Sequence, residues 1–150
     1  MDTTLQNRRA KEEGSLEPLM MIILAVLGVM NLLRGAVHWV APDSGAGIAG
    51  IDLSGSSAPN IIYLLAAEGI SQFAWGAVYL YVALRERRFL GAAFLLEALK
   101  SGAILFTEYV TKPPVAAVPS RYLHLTTFVT AAAIVLLSFR QRNDSMQEFP

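Results

Sequence analysis

Four long apolar runs separated by polar connections constrain this chain more than any other feature. A helix needs about 20 mainly apolar residues to cross a bilayer, because each residue advances its axis by only ~1.5 Å. The runs extend from about Pro18 to Val40, Ile61 to Leu84, Phe89 to Val110 and Tyr122 to Phe139. A helix of a soluble bundle carries a polar stripe, and Phe128 to Leu137 has almost none. The expected fold is therefore all-α: a four-helix transmembrane bundle running up-down-up-down. Residues 18–140 form the transmembrane domain, with polar tails at 1–17 and 141–150. Composition agrees, with 54% hydrophobic and only 16% charged residues, where soluble domains are roughly a quarter charged.

Arg8, Arg9 and Lys11 precede the first run, as in a signal peptide, but Val37-His38-Trp39-Val40 offers no small-x-small cleavage site. A retained first helix is expected. Residues 41–60 are rich in Gly, Ser, Ala and Asp and read as a loop folded over the bundle. Asp43 and Asp52 lie in this loop without the alternating acids of a calcium site. The turn Arg85-Glu86-Arg87-Arg88 is so short that helices two and three must be antiparallel neighbours. A Pro-rich connection over 111–120 precedes the fourth helix.

Lys and Arg gather in the N-terminal tail, in the 85–88 turn and at Arg140 and Arg142, whereas 41–60 has none. The loop over 111–121 has Lys112 and Arg121. Cytoplasmic segments carry the Lys/Arg excess, so both termini and the basic turn are expected inside, with the protein in the cytoplasmic (inner) membrane. The zero net charge gives no electrostatic footprint for nucleic acid. The absence of cysteine excludes disulfides, thiolate metal sites and thiol catalysis.

Ionisable groups inside spans are expensive and normally face the bundle interior. Asn31, Arg34 and His38 share one face of the first helix, Glu68 and Gln72 one face of the second. Glu97, Lys100 and Glu108 share a broad face of the third, and His124 and Thr127 a face of the fourth. Counted down from the outer helix ends, His38, Glu108 and His124 lie at about 3 to 5 Å, and Arg34 and Glu68 near ~10 Å. Asn31, Gln72 and Lys100 follow at ~13 to 17 Å, and Glu97 is deepest. Charges of opposite sign thus share levels in the outer half, with Arg34–Glu68 and Lys100–Glu97 as the expected pairs. Gly28 and Gly35, and Gly69 and Gly76, are each seven apart, which suits close helix packing. Trp39, Tyr109 and Tyr122 stand at outer helix ends, where aromatic belts form.

Three uses of such a cluster follow. It binds a small polar or anionic ligand, an ion or a proton, with Arg34 and Lys100 as counter-charges and Glu68, Gln72 and His38 as orienting groups; Glu97, Glu108 and His124 complete the candidate ligand-binding set. Alternatively it serves an enzyme or redox-accessory subunit acting on a quinone or lipid, with Glu97 or His124 moving a proton. Or it is structural glue in a subunit of a larger membrane complex. His38, Glu108 and His124 would make a two-imidazole, one-carboxylate zinc set, but no H-x-x-x-H or H-E-x-x-H spacing supports one. No motif names a cofactor. Four helices leave little room for a pore within one subunit, so conduction would require a homo-oligomer.

The layout resembles the DoxX-like group of small four-helix membrane proteins. The shared features are Arg34-Gly35 late in helix one, Gly69 and Gly76 in a helix that ends in the basic turn Arg85–Arg88, polar residues in helix three, and a Pro-containing outer loop before helix four. The resemblance spans about residues 18 to 140. It implies a membrane accessory subunit, in some cases linked to quinone or sulfur redox chemistry. The Gly/Ser loop and the His38 and His124 pair lie outside it.

Overall fold

Helical hydrogen bonding runs on past the apolar runs at most of their ends. A computed structural model of the chain describes residues 3–114 and 120–146; part of the Pro-rich connection (115–119) lies outside the described residues, as do 1–2 and 147–150. Helix α1 covers Thr3–Val40, α2 Ala58–Arg85, α3 Leu90–Phe106 and α4 Ser120–Met146. No strand occurs among the described residues. The first helix begins at Thr3, well before the apolar run. Pro18 lies inside it, and the fourth extends past Phe139. Hydropathy marks where a helix meets lipid, whereas its backbone bonds carry on through polar residues that tolerate helix. Four stretches are long and apolar enough to span a membrane: Leu16–Val40, Ala58–Arg85, Arg87–Thr111 and Ser120–Gln141. Large apolar side chains such as Ile22, Leu33, Leu64, Leu99 and Leu136 are exposed around the bundle, as lipid contact requires. The chain is a multi-pass membrane protein.

Glycines set how α1 meets α2. A Cβ built on Gly35 would stand 2.6 Å from both the Gly69 carbonyl oxygen and the Phe73 amide nitrogen. One on Gly76 would stand 2.7 Å from the Gly28 oxygen and the Leu32 nitrogen. Gly28 thus faces Gly76 and Gly35 faces Gly69, two antiparallel contacts one heptad apart. Without side chains at these points the two backbones touch, and dispersion contacts replace a hydrophobic drive that lipid does not supply. Gly102 plays a softer version against α4, where a Cβ would meet the Phe128 ring at 3.0 Å.

The bundle is packed unevenly. Its apolar core joins Met20 and Leu24 of α1, Tyr79, Val82 and Ala83 of α2, Leu90, Ala93 and Phe94 of α3, and Ala131 and Ile134 of α4. These levels all lie toward the 85–88 turn, which pins α2 and α3 together through a 3-10 turn over Arg87–Phe89. Arg87 reaches Glu17 of α1 at 3.6 Å; both are more than half exposed, so the contact is worth ~0–1 kcal/mol. Toward the other end the core gives way to polar residues.

The connection after α1 folds back onto it. Asp43 accepts the backbone N–H groups of Gly45 and Gly47, both at 2.9 Å. Those two bonds favour the carboxylate and hold its pKa below the usual carboxylate range. Ser44 and Gly45 take left-handed backbone angles, φ 49° and 74°, and Ser44, Gly45 and Ala46 are buried.

Candidate functional site

Polar side chains from all four helices meet at the end of the bundle away from the 85–88 turn. They line one partly open cavity of about 800 Å³, within the range of small-molecule sites. Asn31 and Arg34 enter from α1, Glu68 and Gln72 from α2, Glu97 and Lys100 from α3, and His124 from α4. Leu27, Met30, Trp75 and Ile104 supply apolar wall between them. A smaller cavity of about 380 Å³ lies under the 41–50 loop, with His38, Gly45 and Ile48 in its lining. Arg34 and Leu123 line both.

Glu97 is the most enclosed charge among the described residues, 3% exposed. Lys100, one turn along α3, pairs with its Oε2 at 2.6 Å, the pair expected from the sequence. The same oxygen accepts the Tyr79 hydroxyl of α2. Lys100 Nζ also lies 5.4 Å from the centre of the Tyr79 ring, so the phenol contacts both members of the pair. The Ser101 hydroxyl donates to the Glu97 carbonyl at 2.6 Å. Tyr79 is absent from the sequence-derived set. The available signal was its register, since Glu68, Gln72, Gly76 and Tyr79 recur at spacings of four, four and three on one face of α2.

Arg34 behaves differently from expectation. Among the described residues no ion pair joins it to Glu68; instead its Nε donates to His38 Nε2 at 3.4 Å. Glu68 accepts a hydrogen bond from Gln72 Nε2 at 3.1 Å, one turn along its own helix. The physical reason is the neighbour: His38 sits one turn from Arg34 on the same helix, held in place from above. His38 Nδ1 lies 2.6 Å from the Ser44 carbonyl oxygen. A carbonyl only accepts, so Nδ1 carries the proton and Nε2 is left as acceptor for the guanidinium. The loop thereby fixes the imidazole tautomer, and the imidazole turns Arg34.

Glu108 and His124 are brought together, with Glu108 Oε1 accepting from His124 Nδ1 at 2.8 Å. Glu108 lies in a wide π-helical turn over Thr107–Thr111, closed by the Lys112 N–H on the Thr107 oxygen at 2.8 Å. Its second carboxylate oxygen is buried without a hydrogen-bond partner. Arg121 lies over the Tyr109 ring at 4.5 Å and donates to the Glu108 backbone carbonyl at 3.4 Å. His38 does not join Glu108 and His124: its Nδ1 is turned to Ser44. Among the described residues no three His, Asp or Glu side chains converge as a metal-ligand group.

Fold and geometry together define the class: a four-helix integral membrane protein. No family model matches the chain, and it matches none of the curated proteins or solved structures compared with it.

Proposed function

We propose that the protein binds a small polar or anionic ligand in the larger cavity, with Arg34 as its principal counter-charge. One observation carries this reading. Arg34 lines the cavity with its guanidinium engaged by a neutral imidazole rather than a carboxylate, whereas Lys100 and Glu97 neutralise one another. A cation left in such surroundings is costly unless something anionic joins it. In gently extracted protein, native mass spectrometry should detect a small-molecule adduct. Arg34→Gln should lose it, and Lys100→Gln should weaken it. Equal adducts in wild type and Arg34→Gln would reduce the cavity to a structural feature.

The same cavity favours a second reading in line with the DoxX-like layout, that of a redox-accessory subunit. Its apolar wall at Leu27, Met30 and Trp75 would accept the body of a quinone or lipid. An adduct with the mass of a quinone selects that reading.

The positive-inside distribution places the 85–88 turn and both termini in the cytoplasm, and the 41–57 loop outside. With no native cysteine, single replacements report this directly. Ser56→Cys should react with a membrane-impermeant maleimide in intact cells, and Arg87→Cys only after permeabilisation. The reverse pattern inverts the orientation.

A further inference from the structure

The Glu108–His124 pair gives the cavity a proton acceptor beside its cation. His124 lines the cavity, and its Nδ1 is occupied by Glu108. The nitrogen left to receive a proton is Nε2. The charged groups around it are accounted for from every helix. On α3, Glu97 and Lys100 are paired with each other. On α2, Glu68 is held by Gln72. On α4 itself, Arg121 lies against the Tyr109 ring and the Glu108 backbone. Arg34 on α1 has no carboxylate against it, and Glu108, in the π-helical turn after α3, has only the His124 ring.

An anion docking on Arg34 shares the cavity with His124, whose Nδ1 is held by the Glu108 carboxylate, and the second oxygen of that carboxylate is buried and unpartnered. Two negative charges in a low-dielectric site repel strongly. His124 is bonded to one of them and lines the cavity that holds the other. A proton on its Nε2 would turn that repulsion into an anion–imidazolium–carboxylate array. The walls add a second requirement. Leu27, Met30, Leu33, Ile104 and Leu123 need an apolar body on the ligand.

Resting on the pocket reading above, we infer that the ligand is the anion of an amphiphilic carboxylic acid, bound together with one proton that rides on His124 Nε2. The proton comes from solvent and returns there on release, so no redox partner is involved.

Octanoate is the probe. Protein in phosphatidylcholine nanodiscs is titrated calorimetrically in two buffers of different ionisation enthalpy, with empty nanodiscs as the blank. Uptake of up to one proton per octanoate is expected, so affinity should rise as pH falls from 8 to 7, by at most about tenfold. His124→Gln should bind octanoate without proton uptake and with a flat pH profile. Glu108→Gln keeps an acceptor for Nδ1 but removes the charge, and should take up a smaller fraction of a proton. Octanoate binding with no proton uptake in wild type, or full uptake in His124→Gln, overturns the inference. If octanoate fails to bind while an Arg34-dependent adduct persists in native mass spectrometry, the pocket stands and the acid is wrong. If both are absent, both readings fall.

Discussion

Gly35→Ala should destabilise the bundle by about 1–3 kcal/mol, and Gly35→Leu should prevent α1 and α2 from docking. Helix propensity alone predicts the opposite sign, since Ala is favoured over Gly by ~1 kcal/mol within a helix. The contact decides. The new Cβ would meet the Gly69 oxygen and the Phe73 nitrogen at 2.6 Å. Both are backbone atoms, so no rotamer change relieves the clash and the helices must part. Parting them also opens the Gly28–Gly76 contact one heptad away and shifts His38, whose Cβ lies against Gly69. Gly91 is the control, because nothing lies within 4 Å of a Cβ built there. Gly91→Ala should leave stability unchanged or slightly raised. Unfolding in mixed micelles, followed by circular dichroism, separates the two. Equal effects at Gly35 and Gly91 would mean that the helices do not touch through glycine.

Lys100→Met should cost about 3 kcal/mol, the low end of the ~3–5 kcal/mol seen when one partner of a buried ion pair is removed. Glu97 would be left at 3% exposure with only the Tyr79 hydroxyl as a side-chain partner. The low end applies because the Lys100 side chain keeps 32% of its surface exposed. Tyr79→Phe removes a single interhelical hydrogen bond, and such bonds in membranes average ~0.6 kcal/mol. It should therefore be several-fold milder. The double variant Lys100→Met with Glu97→Gln should regain most of the loss, because a neutral amide still accepts from Tyr79. A double-mutant cycle reads the coupling directly. Additive losses at positions 97 and 100 would show that the two charges do not depend on one another.

These two sites show how far local pattern reaches. The glycine spacing was legible because close approach needs only the absence of a side chain, repeated on one face. The Lys100–Glu97 pair was legible because both residues ride on α3, three apart. The expected Arg34–Glu68 pair was different. It depended on how two helices are rotated against each other, and on what else stood within reach. A change of one residue in rotation moves a side chain by about 100°, and hydropathy does not fix rotation that finely. Nor does it show that the loop over 41–57 returns to hold His38. Tyr79 escaped notice for a related reason: a tyrosine on an apolar helix face reads as packing until its hydroxyl has a partner.

What the linear chain determined by itself is the number of helices, where they meet lipid and which glycines permit contact. All of these follow from side-chain hydrophobicity and size counted along one helix. What only the tertiary structure decided is which charge answers which: Arg34 turned to His38, Tyr79 set on Glu97, and Glu108 joined to His124. Partner choice in a low-dielectric interior depends on separations of a few ångströms between different helices, and those are settled only when the helices pack.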